Sequence, residues 1–232
     1  MSTTDDAAET IKVIMGGESG VGKSSLLLSF TEGEFFPNIM PTIGSEFSYK
    51  NVAVTDKLSG KRETVRLQLW DTAGQERFRC MARSFFRCAD AAVLLYDCSN
   101  RASFEAVKQW LDEIDAATGD GDSLSYLLVG NKIDLYEGQS FESMAVPKSE
   151  AQQFAQKHNM LFALTSAKTL NGVTEAFDEI ARCAYDNIRA GKVENTGKGR
   201  PAAQRAWEAL LGTPAAAHAV SSLSVQKKKK NI

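Results

Sequence analysis

One stretch constrains the fold more tightly than any other: Gly17–Glu18–Ser19–Gly20–Val21–Gly22–Lys23–Ser24, which matches G-x-x-x-x-G-K-S. That motif works only when a strand delivers it and a helix receives it. Both are legible. Residues 11–15 (IKVIM) are a short apolar run ending at Gly16 and Gly17, as expected of a buried strand entering a turn. From Lys23 to Thr31, Leu26, Leu27 and Phe30 recur at helical spacing. In such a loop the glycines let the backbone curl until several N–H groups converge on phosphate oxygens, and the helix adds its positive dipole end. Gly17, Ser19, Gly20, Val21, Gly22 and Ser25 are the expected cradle, Lys23 the point charge on the β- and γ-phosphates, and Ser24 a Mg²⁺ ligand.

Elsewhere the pattern alternates strand and helix. Phe47–Asp56 and Glu63–Trp70 alternate as two strands of an antiparallel hairpin, with a turn containing Ser59 and Gly60. Ala91–Tyr96, Ser125–Gly130 and Met160–Thr165 are nearly continuous apolar runs, the mark of strands covered on both faces. Helical spacing occupies Arg101–Ala117, Pro147–His158 and Gly172–Arg189. The order predicts an α/β domain with a mostly parallel sheet and helices on both faces. The 232 residues have no 18-residue apolar run, and the acidic start MSTTDDAAET is neither a secretory signal nor a transit peptide.

Two further segments sit where open α/β sheets bind ligands, at the carboxyl ends of strands. Asn131–Lys132–Ile133–Asp134 follows one buried run. The Asp134 carboxylate can accept from guanine N1–H and its 2-amino group, both missing in adenine, so discrimination is large. Lys132 can lay its apolar stem along the base. Ser166–Ala167–Lys168 follows the next strand and can offer the Ala167 N–H to guanine O6, although the tripeptide alone reads equally as a loop. Asp71 follows the strand ending at Trp70, just before Gly74 and Gln75, and is placed to hold Mg²⁺ through water. The Gly74 N–H can bond a γ-phosphate, and the Gln75 amide can orient an attacking water. In isolation Gln75 reads equally as a surface amide opening a helix. Thr42, between Pro41 and Ile43, can complete the Mg²⁺ shell. The candidate catalytic set is therefore Lys23, Thr42, Gly74 and Gln75, and the metal set Ser24, Thr42 and Asp71.

In this order and spacing, GESGVGKS, TIGSEF, WDTAGQERFR, NKID and SAK resemble the Ras superfamily, and the flanking residues resemble its Rab branch. The likeness spans about residues 10–190. It implies a P-loop NTPase G domain with six strands, one of them antiparallel, and about five helices. It also implies that Phe35 packs on the guanine edge, that Ile43 meets effectors, and that Phe47, Trp70 and Phe85 form an exposed aromatic triad read by them. For the triad, ordinary sheet packing is the other reading. The implied reaction is GTP hydrolysis to GDP and phosphate. It implies a monomeric switch served by an exchange factor, an activating protein and effectors in vesicle traffic.

Three departures stand out. Phe85–Phe86 replaces the usual pair of tyrosines, the hairpin loop around Thr55–Glu63 is longer than the family norm, and no cysteine follows Cys183. Rab chains normally end in prenylated cysteines, so membrane association is left open. The setting is cytoplasmic or peripheral on endomembranes; an unlipidated module of a cytosolic or ciliary complex is the alternative.

Charge decides one more exclusion. The chain carries −2 overall, yet from Gly191 onward eight basic residues face two acidic ones, which leaves −8 for the body. An acidic body does not suit nucleic acid. The segment 191–232 reads as a mostly flexible basic tail with a short helix over 201–211, and residues 1–9 as a flexible start. Lys227–Lys230 would add only about 1 kcal/mol per charge near an anionic surface. Four scattered cysteines and two histidines give neither a disulfide framework nor a Cys/His metal site.

Overall fold

The structure, a computed structural model, describes residues 9–42, 45–56, 60–72, 86–118 and 124–191. All of them fall in the compact unit Met1–Glu194. The helix expected over 201–211 and the lysines 227–230 lie outside the described residues, as do residues 1–8 and Ser59 of the hairpin turn.

Six strands form one sheet: β1 (Thr10–Gly16), β2 (Ser45–Thr55), β3 (Arg62–Thr72), β4 (Ala91–Asp97), β5 (Ser125–Asn131) and β6 (Leu161–Leu164). Their order is β2-β3-β1-β4-β5-β6, antiparallel between β2 and β3 and parallel at every other pair. Among the described residues five α-helices accompany them: α1 (Lys23–Glu32), α2 (Arg101–Glu105), α3 (Val107–Thr118), α4 (Lys148–Lys157) and α5 (Val173–Arg189). This is the α/β architecture expected from the sequence.

The side-chain period of two sorts the sheet into two cores. Ile11, Val13 and Met15 of β1, with Val93 and Leu95 of β4, pack beneath α1 and α5. Ile14, Ala92, Leu94 and Tyr96 face the other way, into the layer of α2, α3 and α4. A strand buried on both sides favours apolar residues at nearly every position, which is why β4 and β5 read as nearly continuous runs. In the first core the Phe30 and Phe177 rings stack with centroids 4.1 Å apart, joining α1 to α5. Such a pair is worth about 1 kcal/mol beyond its area.

One detail differs from the expected elements, and one is settled. Arg101–Ala117 is two helices, not one, divided at Ala106. The break is slight, because Ala106 keeps helical φ and ψ and its N–H still bonds the Ala102 carbonyl at 3.1 Å. The apolar spacing of Phe104, Val107, Trp110, Leu111 and Ile114 continues through it, and periodicity does not register a one-residue bend. The hairpin pairs in register from Ser45↔Thr72 to Thr55↔Arg62, and the Asp56 N–H closes its tip on the Lys61 carbonyl at 2.9 Å. Burial of Val52 and Val54 on the face they share with Val65, Leu67 and Leu69 pins that register, since a slip of β2 by one would turn both valines outward.

Because β1, β3, β4, β5 and β6 are parallel, their carboxyl ends share one edge of the sheet. Gly17 follows β1, Asp71 lies at the end of β3, Asp97 ends β4, Asn131 ends β5, and Ser166 follows β6. The chain leaves β1 to build one side of the sheet and returns to build the other, the kind of switch point where such sheets open a crevice.

Candidate functional site

The loop after β1 takes a shape that side chains would block. Gly17 has φ 143°, and a Cβ there would lie 2.5 Å from the Leu95 carbonyl oxygen. Gly22 has φ 99°, and its Cβ would lie 2.5 Å from Asn131 Nδ2. Helix α1 starts at Lys23 with no side-chain cap. Its first internal bond runs from the Leu26 N–H to the Gly22 carbonyl at 2.8 Å, so the N–H groups of residues 23–25 have no acceptor within the helix. Lys23 is buried, and its Nζ donates to the loop carbonyls of Gly17 at 2.7 Å and Glu18 at 3.0 Å. Beside it opens a cleft of about 240 Å³ lined by Ser19, Gly20, Lys23, Ser24, Met40 and Thr42, among others.

Three oxygens from distant parts of the chain meet at one end of this cleft. Ser24 Oγ lies 2.7 Å from Thr42 Oγ1. Asp71 Oδ2 accepts from Ser24 Oγ and, at 3.1 Å, from Thr42 Oγ1. Thr72 anchors the end of β3 by donating its hydroxyl to the Met15 carbonyl at 2.7 Å. Two hydroxyls and one carboxylate are hard oxygen donors of the kind Mg²⁺ takes, and one carboxylate is the usual allowance when phosphates supply the rest. Among the described residues no group of three or more His, Cys, Asp or Glu can hold a metal. The donor set therefore fits Mg²⁺ shared with a phosphate better than an all-protein cage.

The residues at the ends of β5 and β6 are bonded to one another and to the phosphate loop. Asn131 is 1% exposed; its Nδ2 donates to the Val21 carbonyl at 3.0 Å. Its Oδ1 accepts from Thr165 Oγ1 and from the Ala167 N–H, both at 3.2 Å. The Ala167 N–H, offered by the sequence to guanine O6, thus has an internal partner. Lys132, with φ 68°, sends its Nζ to the Gly20 carbonyl at 2.8 Å and to Asp97 Oδ2 at 2.7 Å. Asp134 Oδ1 accepts from Ser166 Oγ at 2.6 Å, and Lys168 Nζ lies 3.8 Å from Asp134 Oδ2. Ser29 of α1 reaches across to the Ala167 carbonyl at 2.8 Å. Every described residue of the two expected clusters therefore lies along one edge.

Asp97 and Thr165 join this network although the sequence assigned neither of them a role in the site. Burial pushes the Asp97 carboxyl upward, but hydrogen bonds from Lys132 and Ser99 outweigh it and hold the group below the usual carboxylate range. The available signal was position, since Asp97 ends an apolar run just as Asn131 does.

The aromatic expectations divide. Phe35 is half-buried and packs against the core under α1 and α5. Trp70 is 4% exposed, which corrects the expected exposed triad. Its indole joins the core with Ile14 and Phe86, Lys12 Nζ stands 5.3 Å from its ring centroid, and the half-buried Phe47 ring lies 5.3 Å away. At Trp70 the sheet-packing alternative describes what is seen. Ile43, Gly74, Gln75 and Phe85 lie outside the described residues.

Comparison with known proteins shows the family. A family profile described as the Ras family matches residues 12–186. Ras-related protein Rab-18-B of Danio rerio is 44% identical over 176 residues, which are 76% of this chain and 80% of that protein. The Ypt/Rab-type GTPase ypt7 of Schizosaccharomyces pombe is 41% identical over 181 residues, 77% of this chain and 83% of its own. Ras-related protein RabC of Dictyostelium discoideum is 38% identical over 182 residues, 78% and 87% of the two chains.

Proposed function

The chain belongs to the Ras family, as a Rab-type GTPase, and from that premise we propose that the cleft at the carboxyl edge holds GDP or GTP with Mg²⁺ and works as a switch in membrane traffic. The observation that carries this reading is the meeting of Ser24, Thr42 and Asp71 at the mouth of the phosphate loop. Thr42 comes from the connection between α1 and β2, so one hydroxyl ties that connection to the nucleotide side of the sheet.

In this reading Asp134 selects guanine, and Asn131 and Lys132 fix the loops around it. The α1 N–H groups and Lys23 take the phosphates, with Lys23 exchanging its carbonyl partners for phosphate oxygens. Ser24, Thr42 and Asp71 would hold Mg²⁺, whose contribution is to neutralise charge on the phosphoryl oxygens. Gly74 donates to the γ-phosphate, and Gln75 orients the attacking water. Loss of that phosphate removes the shared anchor of the Thr42 and Gly74 segments and releases both. Effectors, including any that contact Ile43, Phe47, Trp70 or Phe85, then read the ordered form. An arginine supplied by an activating protein accelerates related enzymes about 10⁵-fold over ~10⁻⁴ s⁻¹. That is about 7 kcal/mol of barrier, more than ordering a loop provides.

Single-turnover hydrolysis of GTP tests the chemistry. The parent should cleave GTP slowly, and Gln75→Leu should lower the rate at least tenfold, with or without an activator. An unchanged rate removes Gln75 from its role. No helix among the described residues is long and apolar enough to cross a membrane, and a peripheral association is proposed. Fractionation of cells should place a GTP-dependent share of the protein with endomembranes; an entirely soluble pool in both nucleotide states would favour a cytosolic or ciliary complex.

A further inference from the structure

We propose that Asp97 is a positioning residue for nucleotide retention: it holds the Lys132 ammonium against the Gly20 carbonyl and so keeps the phosphate loop stapled to the base loop. This rests on the reading of the cleft as a nucleotide site.

The two loops are joined at consecutive positions. Asn131 Nδ2 donates to the Val21 carbonyl at 3.0 Å, and Lys132 Nζ donates to the Gly20 carbonyl at 2.8 Å. The Asn131 staple is rigid, because the side chain is short, buried and bonded at both ends of its amide. The Lys132 staple is of another kind. An ammonium on a four-carbon stem has three rotatable donors and a strong attraction to water, and the Lys132 side chain is 35% exposed. Left to itself it would spend much of its time away from one carbonyl.

Asp97 supplies the constraint. Its side chain is 10% exposed, and Oδ2 lies 2.7 Å from Lys132 Nζ. The other oxygen is committed elsewhere: Oδ1 accepts the Ser99 N–H at 2.8 Å and Ser99 Oγ at 2.6 Å. With Oδ1 held by that turn, the carboxylate plane cannot swing, and Oδ2 points at one place. Sheet register reinforces this, since Asp97 pairs with Asn131 across β4 and β5 and the Cys98 N–H bonds the Asn131 carbonyl at 3.0 Å. Backbone, carboxylate and ammonium thus form a chain from β4 to the phosphate loop. Its end point, the Gly20 carbonyl, belongs to the peptides whose N–H groups curl toward the phosphates. Freeing it lets the loop relax and the nucleotide leave sooner.

The test is the release rate of a fluorescent GDP chased with excess unlabelled GDP, on the full chain with Mg²⁺ present. Asp97→Asn keeps the shape and removes the charge, and should speed release about tenfold, the scale of one charge-assisted hydrogen bond. Ser99→Ala, at an exposed position, should shift the rate the same way by less. Lys132→Met should speed release at least as much as Asp97→Asn, and the double variant should be no faster than Lys132→Met alone, because Asp97 acts through that ammonium. A merely structural role would add to the Lys132→Met effect. Additive rates, or an Asp97→Asn rate equal to the parent's, overturn the proposal. If Asp97→Asn does not fold, Ser99→Ala decides, and a parental rate there overturns it equally. Tight GDP retention by the parent with unmoved variants defeats this inference alone, whereas a parent that retains no GDP defeats the nucleotide site with it.

Discussion

The base side and the phosphate side of the cleft are built on opposite principles. At the ends of β5 and β6, Asn131, Lys132, Asp134, Ser166 and Ala167 are already satisfied by partners within the protein. Around α1, the donors are N–H groups with no acceptor within the helix, a lysine resting on its own loop carbonyls, and hydroxyls leaning on one carboxylate. A prebuilt pocket suits the part of a ligand that never changes. A set of groups that must trade partners suits the part that does, because each state of the ligand leaves a different set of bonds. If this contrast holds, damage to the base side should abolish binding, while damage to the phosphate side should alter the response to Mg²⁺ and to the terminal phosphate.

The largest effect is expected at Asp134. Asp134→Ala should lower GDP affinity about a thousandfold, ~4 kcal/mol, because guanine would then face a site with no acceptor. Calorimetry reads this directly, and a near-parental affinity would erase the distinction between the two sides. Ser24→Asn should weaken Mg²⁺-GTP binding about ten- to hundredfold while GDP suffers less, in keeping with the loss of one ligand oxygen. Equal losses for both nucleotides would show that the oxygen cluster does not sense the terminal phosphate. Gly22→Ala strikes where the two sides touch. Its Cβ would press on Asn131 Nδ2 at φ 99°, and the fold should lose about 1–3 kcal/mol in urea titration.

The smallest effect is acid sensitivity from Asp97. Hydrogen bonds hold its carboxyl below the ordinary range, so the unfolded chain binds its proton first as pH falls. The stability it contributes is full above an unfolded value of about 3.9. It is lost as pH drops through the lower folded value. The gap in urea midpoint between the parent and Asp97→Asn should therefore be constant near neutrality and shrink toward acid; a gap that widens reverses the sign.

Much of this was legible in the chain itself. A glycine-rich loop between an apolar run and a helix can be satisfied in few ways, and the runs before Asn131 and Ser166 marked strand ends on the same edge. What escaped did so for physical reasons. Asp97 lies in a segment, Leu95–Asp97, that resembles the family without pointing to a role; only the parallel register that sets β4 beside β5 makes its carboxylate a neighbour of Lys132. Trp70 was expected at the surface from resemblance, whereas β3 sets it beside Ile14 of β1 on the face that Phe86 covers, which puts the indole inside. The hairpin register could not be read across a loop longer than the family norm, yet burial of its valines and leucines settles it. A one-residue bend at Ala106 leaves no trace in a periodic pattern.

Guanine recognition coupled to Mg²⁺ is what the proposed switch depends on, and competition calorimetry with the full chain measures it most directly. With Mg²⁺ present, GDP and GTP should bind at least a thousandfold more tightly than ADP and ATP, and chelating the metal should weaken GTP. Comparable affinities for the adenine and guanine nucleotides would contradict it.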